Sequence, residues 1–326
     1  MDAVTHQFGR ACEALRQAER VLLVAHKKPD GDTLGASSAV MNWLLGLDKD
    51  VTMFCADSPS KIFRFIDNIH LYRCDPVVFD GKYDVVVVFD SGDLRYAGVH
   101  EHMPRLQPGH LLINIDHHVT NERYGHLNIV LPEATSACEI VWRMFQSNNV
   151  ALDEKLATSL LTGLYTDTFN FSNSATTPTS IEAAANLVAN GARHQEILKH
   201  LLHDKSVELL HIWGLLLSRL SYNQHFDVVS TYILNSDVAG LPNEAVDGAA
   251  NFLNSVVGDC DTILTLRELP GNQVKGSFRS VKRDISKIAK LLGGGGHKKA
   301  AGFTVSGKIE VTPEGPRIVD VAPRVG

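Results

Sequence analysis

The sequence of 326 residues contains few cysteines and no long apolar run. Its cysteines are scattered, odd in number and without a C-x-x-C pair: Cys12, Cys55, Cys74, Cys138 and Cys260. This usage is typical of reduced thiols in a cytosolic protein and argues against a disulfide framework. The N-terminus lacks a charged-then-apolar signal pattern, and no apolar stretch approaches the roughly 20 residues of a membrane helix. We therefore expect a soluble, cytoplasmic protein without a membrane partner.

Basic residues are also too few for a protein that binds long nucleic acids. The chain has 31 Lys and Arg against 37 Asp and Glu, which gives a net charge of −6 with His neutral. Proteins that track long duplexes normally carry a basic surface. We expect no long duplex DNA as a partner. A small anionic ligand, such as a short RNA or a nucleotide held by a local basic patch, is favoured instead.

Apolar runs alternate with helical patterns as far as about residue 190. Val21–Ala25, Val51–Cys55, Val85–Phe89 and Leu111–Ile115 are typical of short strands buried in a parallel sheet. The alternation predicts an α/β fold in which a doubly wound, mostly parallel sheet forms a first domain over residues 1–190.

A second, smaller α/β domain is expected after this sheet. We predict a helical linker over residues 191–222, the second domain over 223–310 and a peripheral tail over 311–326. Within the second domain, the predicted strands are Phe226–Leu234, Thr262–Glu268 and Val274–Arg279, and the predicted helices are Glu244–Val257 and Ile285–Leu292. The apolar segment Leu209–Leu220 leaves a homodimer open.

Four segments of the first domain carry acidic or histidine side chains at or beside the end of an apolar run. The carboxyl ends of parallel strands line one crevice of an open α/β sheet, so we expect these side chains to converge. Carboxylates mixed with imidazoles suit Mn²⁺ or Mg²⁺ better than a cysteine-rich zinc site would. The pattern indicates a two-metal hydrolase. The candidate residues are His26, Asp30, Asp32, Asp90, Asp116, His117, His118 and Asp167.

Each segment also has a simpler explanation. Asp30 and Asp32 flank a glycine and could cap the following helix, while Asp90 could start a turn. A carboxylate before two histidines, as at Asp116, can orient an imidazole by accepting its second N–H. Asp167 ends an apolar helix, where the helix dipole disfavours an unpaired carboxylate unless a cation lies nearby.

A glycine run marks the second domain. Gly293–Gly296 is followed by His297 and two lysines, and bare backbone N–H groups of such a run can wrap an anion. The run does not have P-loop spacing, and a hinge between a helix and a strand is the alternative. Arg279 is a single arginine in a predicted strand, a position that is more often surface than phosphate fork.

Together, these segments resemble the DHH phosphoesterase superfamily, whose name matches Asp116, His117 and His118. The resemblance covers about residues 20–305 and includes a DHH-associated domain that ends in Gly-Gly-Gly-His. Within the superfamily, the stretches DHHVTNERYGHLNIV and GGGGHKKAAGF are similar to the NrnA type. The resemblance implies two Mn²⁺ ions in one active site, with Mg²⁺ as the alternative.

The resemblance also implies a role for each candidate residue. The ligands of the first cation are His26 and Asp30, and those of the second are Asp32, His117 and Asp167. Asp90 bridges the two cations, Asp116 stands behind the ligands, and His118 faces the scissile phosphate. The implied substrate-binding residues of the second domain are Arg279, Gly294, Gly295, Gly296 and His297.

The implied activity is hydrolysis of very short RNAs, of roughly two to five nucleotides, and dephosphorylation of 3′-phosphoadenosine 5′-phosphate. A RecJ-like single-strand exonuclease, a linear or cyclic dinucleotide phosphodiesterase and an inorganic pyrophosphatase are alternatives among enzymes. A nucleotide-sensing binding protein is the alternative from another class. The chain departs from the family at Phe169, where glycine is usual, and at Ala36, where serine is more common. Both departures concern the floor of the substrate site.

Overall fold

A computed structural model describes residues 3–173, 175–203, 207–238, 253, 260–280, 282–312 and 315–320, without the side chains of residues 202, 203, 209 and 297. The chain divides into two compact units, Met1–Asp204 and Lys205–Gly326. The boundary between the units falls inside the segment for which the sequence predicts a helical linker.

The first unit is built on a six-stranded parallel sheet. The strands follow the order β3-β2-β1-β4-β5-β6, so the direction of winding reverses between β1 and β4. All described pairings in this sheet are parallel. Its strands are β1 (Arg20–Ala25), β2 (Asp50–Cys55), β3 (Tyr72–Arg73), β4 (Val85–Phe89), β5 (Leu111–Asp116) and β6 (Leu127–Val130).

The central strands are buried on both faces because both faces of the sheet are covered. Alternate residues of β1 point to opposite sides: Val21 and Leu23 join a large core, while Leu22 and Val24 join a smaller one. The large core also contains residues of helices, and the smaller one is closed by 3₁₀ turns and loops such as Pro76–Asp80. This double burial explains why the strands appear in the sequence as unbroken apolar runs.

The helices of the first unit begin at residues that cap their N-termini. Asp30, Ser136, Asp153 and Thr177 each accept a hydrogen bond from a backbone N–H of the helix that follows. The helices are α1 (Ala3–Gln17), α2 (Gly31–Leu45), α3 (Ala137–Ser147), α4 (Glu154–Thr168), α5 (Pro178–Ala189) and α6 (His194–Leu198), followed by a π-helical turn at Lys199–His203.

The second unit contains a mixed six-stranded sheet in the order β11-β12-β10-β9-β8-β7 and a separate hairpin of β13 with β14. In the larger sheet only β8 and β9 pair in parallel among the described strands. The elements are α7 (Val207–Ser218), β7 (Ser221–Asn223), β8 (Val228–Ile233), β9 (Thr262–Leu269), β10 (Gln273–Ser280), α8 (Ser286–Leu291), β11 (Gly295–His297), β12 (Ala300–Ser306), β13 (Lys308–Thr312) and β14 (Gly315–Val319).

The predicted α/β architecture is confirmed, with a parallel sheet in the first unit and a mixed sheet in the second. The sequence prediction did not include β3, β6, β7, β11, β12 or the hairpin of β13 and β14, and β7 begins inside the predicted helical linker. The helix predicted at Glu244–Val257 falls almost wholly outside the described residues. None of the described helices combines the length and apolarity that a membrane-spanning segment requires.

Candidate metal centre

The candidate ligands meet at the carboxyl end of the parallel sheet. His26 follows β1, Asp90 follows β4 and Asp116 is the last residue of β5. The strand order reverses between β1 and β4, and ligands of open α/β sheets bind at such a switch point. The side chains at the ends of these three strands therefore lie where this fold forms a crevice.

The first group of ligands consists of His26, Asp30 and Asp90. His26 Nε2 lies 3.3 Å from Asp90 Oδ2 and 3.7 Å from Asp30 Oδ1. His26 Nδ1 lies 2.7 Å from the carbonyl oxygen of Lys27, so Nδ1 carries the proton and Nε2 is left for a ligand. Asp30 also caps α2, accepting the N–H groups of Asp32 and Thr33. The capping and metal-binding explanations of Asp30 are therefore compatible.

The second group consists of Asp32, His117 and Asp167, which offer ligand atoms within 4.8 Å of one another. His117 Nε2 lies 3.4 Å from Asp167 Oδ2. The buried Asp32 carboxylate accepts the N–H of Ala137 at 2.6 Å and that of Cys138 at 2.8 Å. Both donors are in the first turn of α3, where the helix dipole stabilises a negative charge. Asp32 is thus fixed through a helix that is distant in sequence.

Asp90 faces a histidine of each group. Its Oδ2 faces His26, while its Oδ1 lies 3.3 Å from His117 Nε2. The Oδ1 atom is buried and accepts no hydrogen bond from any residue that the structure describes. Asp90 also has a left-handed backbone with φ of 53°, a costly conformation for a residue other than glycine. A buried carboxylate oxygen without a donor fits a cation as its partner.

A third group lies behind and beside the ligands. The buried Asp116 accepts the backbone N–H of His117 at 2.8 Å through Oδ1, and the same oxygen lies 2.7 Å from His118 Nδ1. Asn121 Nδ2 donates to Asp116 Oδ2 at 2.5 Å and to Asn114 Oδ1 at 2.8 Å. Asp116 therefore orients the His118 imidazole and fixes the backbone of His117. The sequence analysis did not identify Asn121, which fixes Asp116 in turn.

The electrostatics of the groups match a site for cations. Burial and the adjacent Asp90 raise the pKa of Asp32 to about 7, and burial with neighbouring carboxylates raises the pKa of Asp167 well above its usual range. Burial lowers the pKa of His26 and His117, but the negatively charged carboxylates that face these imidazoles outweigh burial and raise the pKa values to about 11 and 10. At Asp90 burial acts in the other direction and raises the pKa, but the imidazoles of His117 and His26 outweigh it and lower the pKa. Carboxylates packed this closely repel one another, and divalent cations bound among them would balance their negative charge.

The candidate residues of the second unit lie on β10, on β11 and, for Gly294, directly before β11. Arg279 is on β10, and its Nη1 donates to the Phe278 carbonyl oxygen at 3.0 Å. In the glycine run, a Cβ added to Gly294 would lie 2.0 Å from the Gly302 carbonyl oxygen, whereas one added to Gly295 would meet no described atom within 4 Å. Packing within the fold therefore requires a glycine at position 294 but does not require one at position 295. For His297 only the backbone is described.

The two departures from the family pattern have different consequences. Ala36 is fully buried in α2. Phe169 caps α4 in a left-handed conformation with φ of 49°, and Asn170 and Phe171 continue it with φ of 57° and 60°. Glycine adopts this conformation without strain. Phe169 therefore keeps the backbone turn that a glycine would form.

A parallel α/β sheet with two groups of carboxylates and histidines around one shared aspartate defines a metal-dependent phosphoesterase. The chain belongs to the DHH family: the DHH family N-terminal domain matches residues 20–164, and the DHHA1 domain matches residues 230–316. These matches confirm the resemblance found in the sequence.

Similar proteins include two of the same name and one solved structure. The chain is 31% identical to the bifunctional oligoribonuclease and PAP phosphatase NrnA of Thermus thermophilus, over 90% of this chain and 87% of that protein. It is 22% identical to the protein of that name from Bacillus subtilis, over 88% and 90%. An exopolyphosphatase-related protein from Bacteroides fragilis has the same fold, with a TM-score of 0.83 at 20% identity over 93% and 92% of the two chains.

Proposed function

We propose that this phosphoesterase uses Mn²⁺ to hydrolyse short oligoribonucleotides and to dephosphorylate 3′-phosphoadenosine 5′-phosphate. The observation that carries the proposal is the position of Asp90, whose two oxygens face separate groups of ligands. The names of the relatives from Thermus thermophilus and Bacillus subtilis support the substrate class. The mixture of carboxylate and imidazole donors supports Mn²⁺, with Mg²⁺ as the alternative.

In this proposal each group holds one cation. The first cation would be held by His26 and Asp30. The second would be held by Asp32, His117 and Asp167, and Asp90 would contact both. Two bound cations would polarise a phosphate ester and lower the pKa of a water molecule bound to them to about 7. Asp116 accepts a hydrogen bond from the Nδ1–H group of His118, which leaves Nε2 of this ring to contact a phosphate oxygen.

The substrate-binding role proposed for the second unit concerns β10 and the glycine run. Arg279 can bind a phosphate through a bidentate fork. The open space at Gly295 lets a ligand approach the backbone closely, and Gly294, Gly296 and His297 belong to the same contact surface in this proposal. These residues select the substrate and do not hold the cations.

One experiment tests the proposal against its alternatives. The purified chain is freed of metal with a chelator and then supplied with Mn²⁺, Mg²⁺ or Zn²⁺. Labelled RNAs of two to seven nucleotides, 3′-phosphoadenosine 5′-phosphate, linear and cyclic dinucleotides and pyrophosphate are offered in parallel. We expect no turnover after chelation, the best recovery with Mn²⁺ and the fastest cleavage of the shortest RNAs.

The other outcomes of this experiment, with a long single-stranded DNA added as a further substrate, identify the alternatives. Processive digestion of the long strand would show a RecJ-like exonuclease, and cleavage of pyrophosphate alone would show a pyrophosphatase. Binding of nucleotides without turnover in any metal would show a sensor. Full turnover in excess chelator, after confirmed removal of metal, would contradict the metal-dependent mechanism.

Cellular location and oligomeric state complete the proposal. Cys12, Cys55 and Cys138 are buried free thiols, which supports a cytoplasmic location. A homodimer through α7 stays a prediction; Val207 and Leu210 on this helix are 65% and 51% exposed. Light scattering after size-exclusion chromatography measures the oligomeric state directly.

A further inference from the structure

Tyr96 lies at the rim of the metal centre although no ligand group includes it. Its ring centroid is 5.1 Å from that of His26 and 6.5 Å from that of His118. The residue is nevertheless 46% exposed. A large, half-exposed aromatic ring therefore lies beside His26, a proposed ligand of the first cation, and near His118, the histidine proposed to face the phosphate.

The turn that carries Tyr96 is fixed by hydrogen bonds. Asp93 Oδ1 accepts the N–H of Arg95 at 2.7 Å and that of Tyr96 at 2.7 Å. Ser91 Oγ donates to the Asp93 carbonyl oxygen at 2.7 Å. Ser91 directly follows Asp90, so these bonds fix the backbone of the turn relative to the shared carboxylate. The turn that carries the ring is consequently preorganised and does not need to be ordered when a ligand binds.

Packing against His26 explains only part of this arrangement. An aliphatic side chain could support the imidazole equally well, and it would not expose an aromatic face beside the centre. Exposed rings at sites for single-stranded nucleic acids stack on bases, and this stacking tolerates every sequence because each base has a π-face. The position of Tyr96 suits a base attached to a phosphate held by the ligands.

We propose that Tyr96 forms a nucleobase subsite in the first unit, where its exposed ring face stacks on the base of the nucleotide whose phosphate lies at the metal centre. This inference rests on the proposed function and adds a reason for its substrate class. A base-stacking subsite favours nucleotides over pyrophosphate and other phosphates that lack a base. It also gives little preference among the four bases, as a degradative enzyme requires.

Replacement of Tyr96 by leucine should separate stacking from packing, since leucine keeps an apolar contact with His26. Loss of base stacking costs about tenfold to a hundredfold in affinity. Tyr96→Leu should therefore bind a dinucleotide about ten times more weakly or worse, while Tyr96→Phe should bind like the wild type. Kinetics on a dinucleotide that lacks the base at the cleaved end should change little in either variant.

The experiment uses a dinucleotide that contains 2-aminopurine and a non-hydrolysable linkage, because stacking quenches 2-aminopurine fluorescence without turnover. The wild type and Tyr96→Phe should quench the probe, and Tyr96→Leu should lose both the quenching and the affinity. Tyr222→Leu is the matched control, since Tyr222 is 51% exposed on β7 of the second unit. Calorimetric titration with Mn²⁺ should give the same affinity for all four proteins.

Three outcomes would overturn the inference. If Tyr96→Leu quenches and binds the probe as the wild type does, the ring does not stack. The proposed function would still stand in that case, provided that the wild-type protein cleaves short RNA. Equal losses in Tyr96→Leu and Tyr96→Phe would assign the contact to the phenol hydroxyl. A wild type that neither binds the probe nor cleaves short RNA would reject the proposed function, and the subsite with it.

Discussion

The Nε2 atom of His117 lies 3.3 Å from Oδ1 of Asp90, and this buried oxygen accepts no hydrogen bond from the part of the chain that the structure describes. The other oxygen of Asp90 stands in the same relationship to His26, also at 3.3 Å. One carboxylate therefore lies between two imidazoles, one from each group of ligands. The loss of this single side chain should affect both cation sites.

Asp90→Asn should reduce the bound Mn²⁺ and nearly abolish turnover. Asparagine preserves the volume of the side chain but removes the negative charge that both cations require. Residues that merely support metal ligands contribute about 10- to 100-fold to affinity or activity, so the loss here should exceed about a hundredfold. Metal content by elemental analysis and turnover of an RNA dimer measure the two effects.

The control for this prediction is Asp153→Asn. Asp153 caps α4 by accepting the Leu156 N–H at 2.9 Å, and asparagine can cap a helix equally well. This variant should keep full metal content and turnover. Near-native turnover in Asp90→Asn, with loss in Asp153→Asn, would show that the ligand assignment is wrong.

Gly163→Ala should weaken metal binding through Asp32. A Cβ at position 163 would lie 2.3 Å from Cys138 Sγ and 2.6 Å from Asp32 Oδ1. Alanine at this position would therefore push α4 and the Asp32 carboxylate apart. Overpacking of this kind costs about 1–3 kcal/mol. We expect a lower melting temperature and a lower Mn²⁺ affinity, measured by calorimetry.

Gly214→Ala is the matched control on a helix. A Cβ at Gly214 of α7 would meet no described atom within 4 Å, so alanine should stabilise the helix by about 0.5–1 kcal/mol. Its Mn²⁺ affinity should be unchanged. Equal metal affinities in Gly163→Ala and the wild type would show that Asp32 is not a ligand or can move freely.

The parallel sheet and the ligands at its edge were predictable because burial on both faces leaves a strong signal. Val85–Phe89 is entirely buried and appears in the sequence as an unbroken apolar run that ends at Asp90. Topology then explains why ligands far apart in sequence meet, since parallel strands end at one edge. The resemblance to the DHH superfamily supplied the roles of the individual candidate residues.

The missed elements lack such signals. The strand β11, Gly295–His297, consists mainly of glycine, a residue that normally weakens a strand. Asn121 and Tyr96 lie near the ligands because of the conformation of their loops, which no periodicity of the sequence reveals. The hydrogen bonds from the N-terminus of α3 to the Asp32 carboxylate join residues more than a hundred positions apart, and only the folded chain shows them.

Two neighbouring glycines should separate folding from substrate binding in the second unit. Gly294→Ala would place a Cβ 2.0 Å from the Gly302 carbonyl oxygen and should destabilise the unit by about 1–3 kcal/mol. Gly295→Ala meets no described obstacle, so its unfolding curve should match that of the wild type. If the run binds substrate as proposed, Gly295→Ala should still raise the KM for an RNA dimer. An unchanged KM would instead favour a purely structural glycine run.

Arg279→Ala should impair nucleotide substrates more than a minimal ester. A charge-assisted contact is worth about 1.5–3 kcal/mol, which corresponds to roughly ten- to a hundredfold in kcat/KM on an RNA dimer. Hydrolysis of bis-p-nitrophenyl phosphate and the Mn²⁺ content should stay close to the wild type. Arg317→Ala is the control, because Arg317 is an exposed arginine that pairs with Glu310 on the β13–β14 hairpin. Equal losses on both substrates would place Arg279 in the construction of the metal centre.

The stability of the second unit should depend on pH through Asp237. Arg219 Nη1 lies 2.5 Å from Asp237 Oδ2, and that oxygen also accepts the Leu234 N–H at 2.8 Å. The guanidinium lowers the pKa of Asp237 below its usual range. A carboxylate with a lowered pKa stabilises the folded state fully above the unfolded pKa of about 4, and the contribution disappears as the pH falls through the lower folded value.

Asp237→Asn should therefore destabilise the chain at neutral pH by about 1 kcal/mol and by progressively less below about pH 4. The measurement is the difference in urea midpoint between wild type and variant from pH 3 to pH 7, in which the titration of all other groups cancels. Glu310→Gln is the control, because it removes the exposed partner of Arg317, and its difference should stay near zero throughout. A difference for Asp237→Asn that is the same at both ends of the range would show that the ion pair with Arg219 does not stabilise the folded unit.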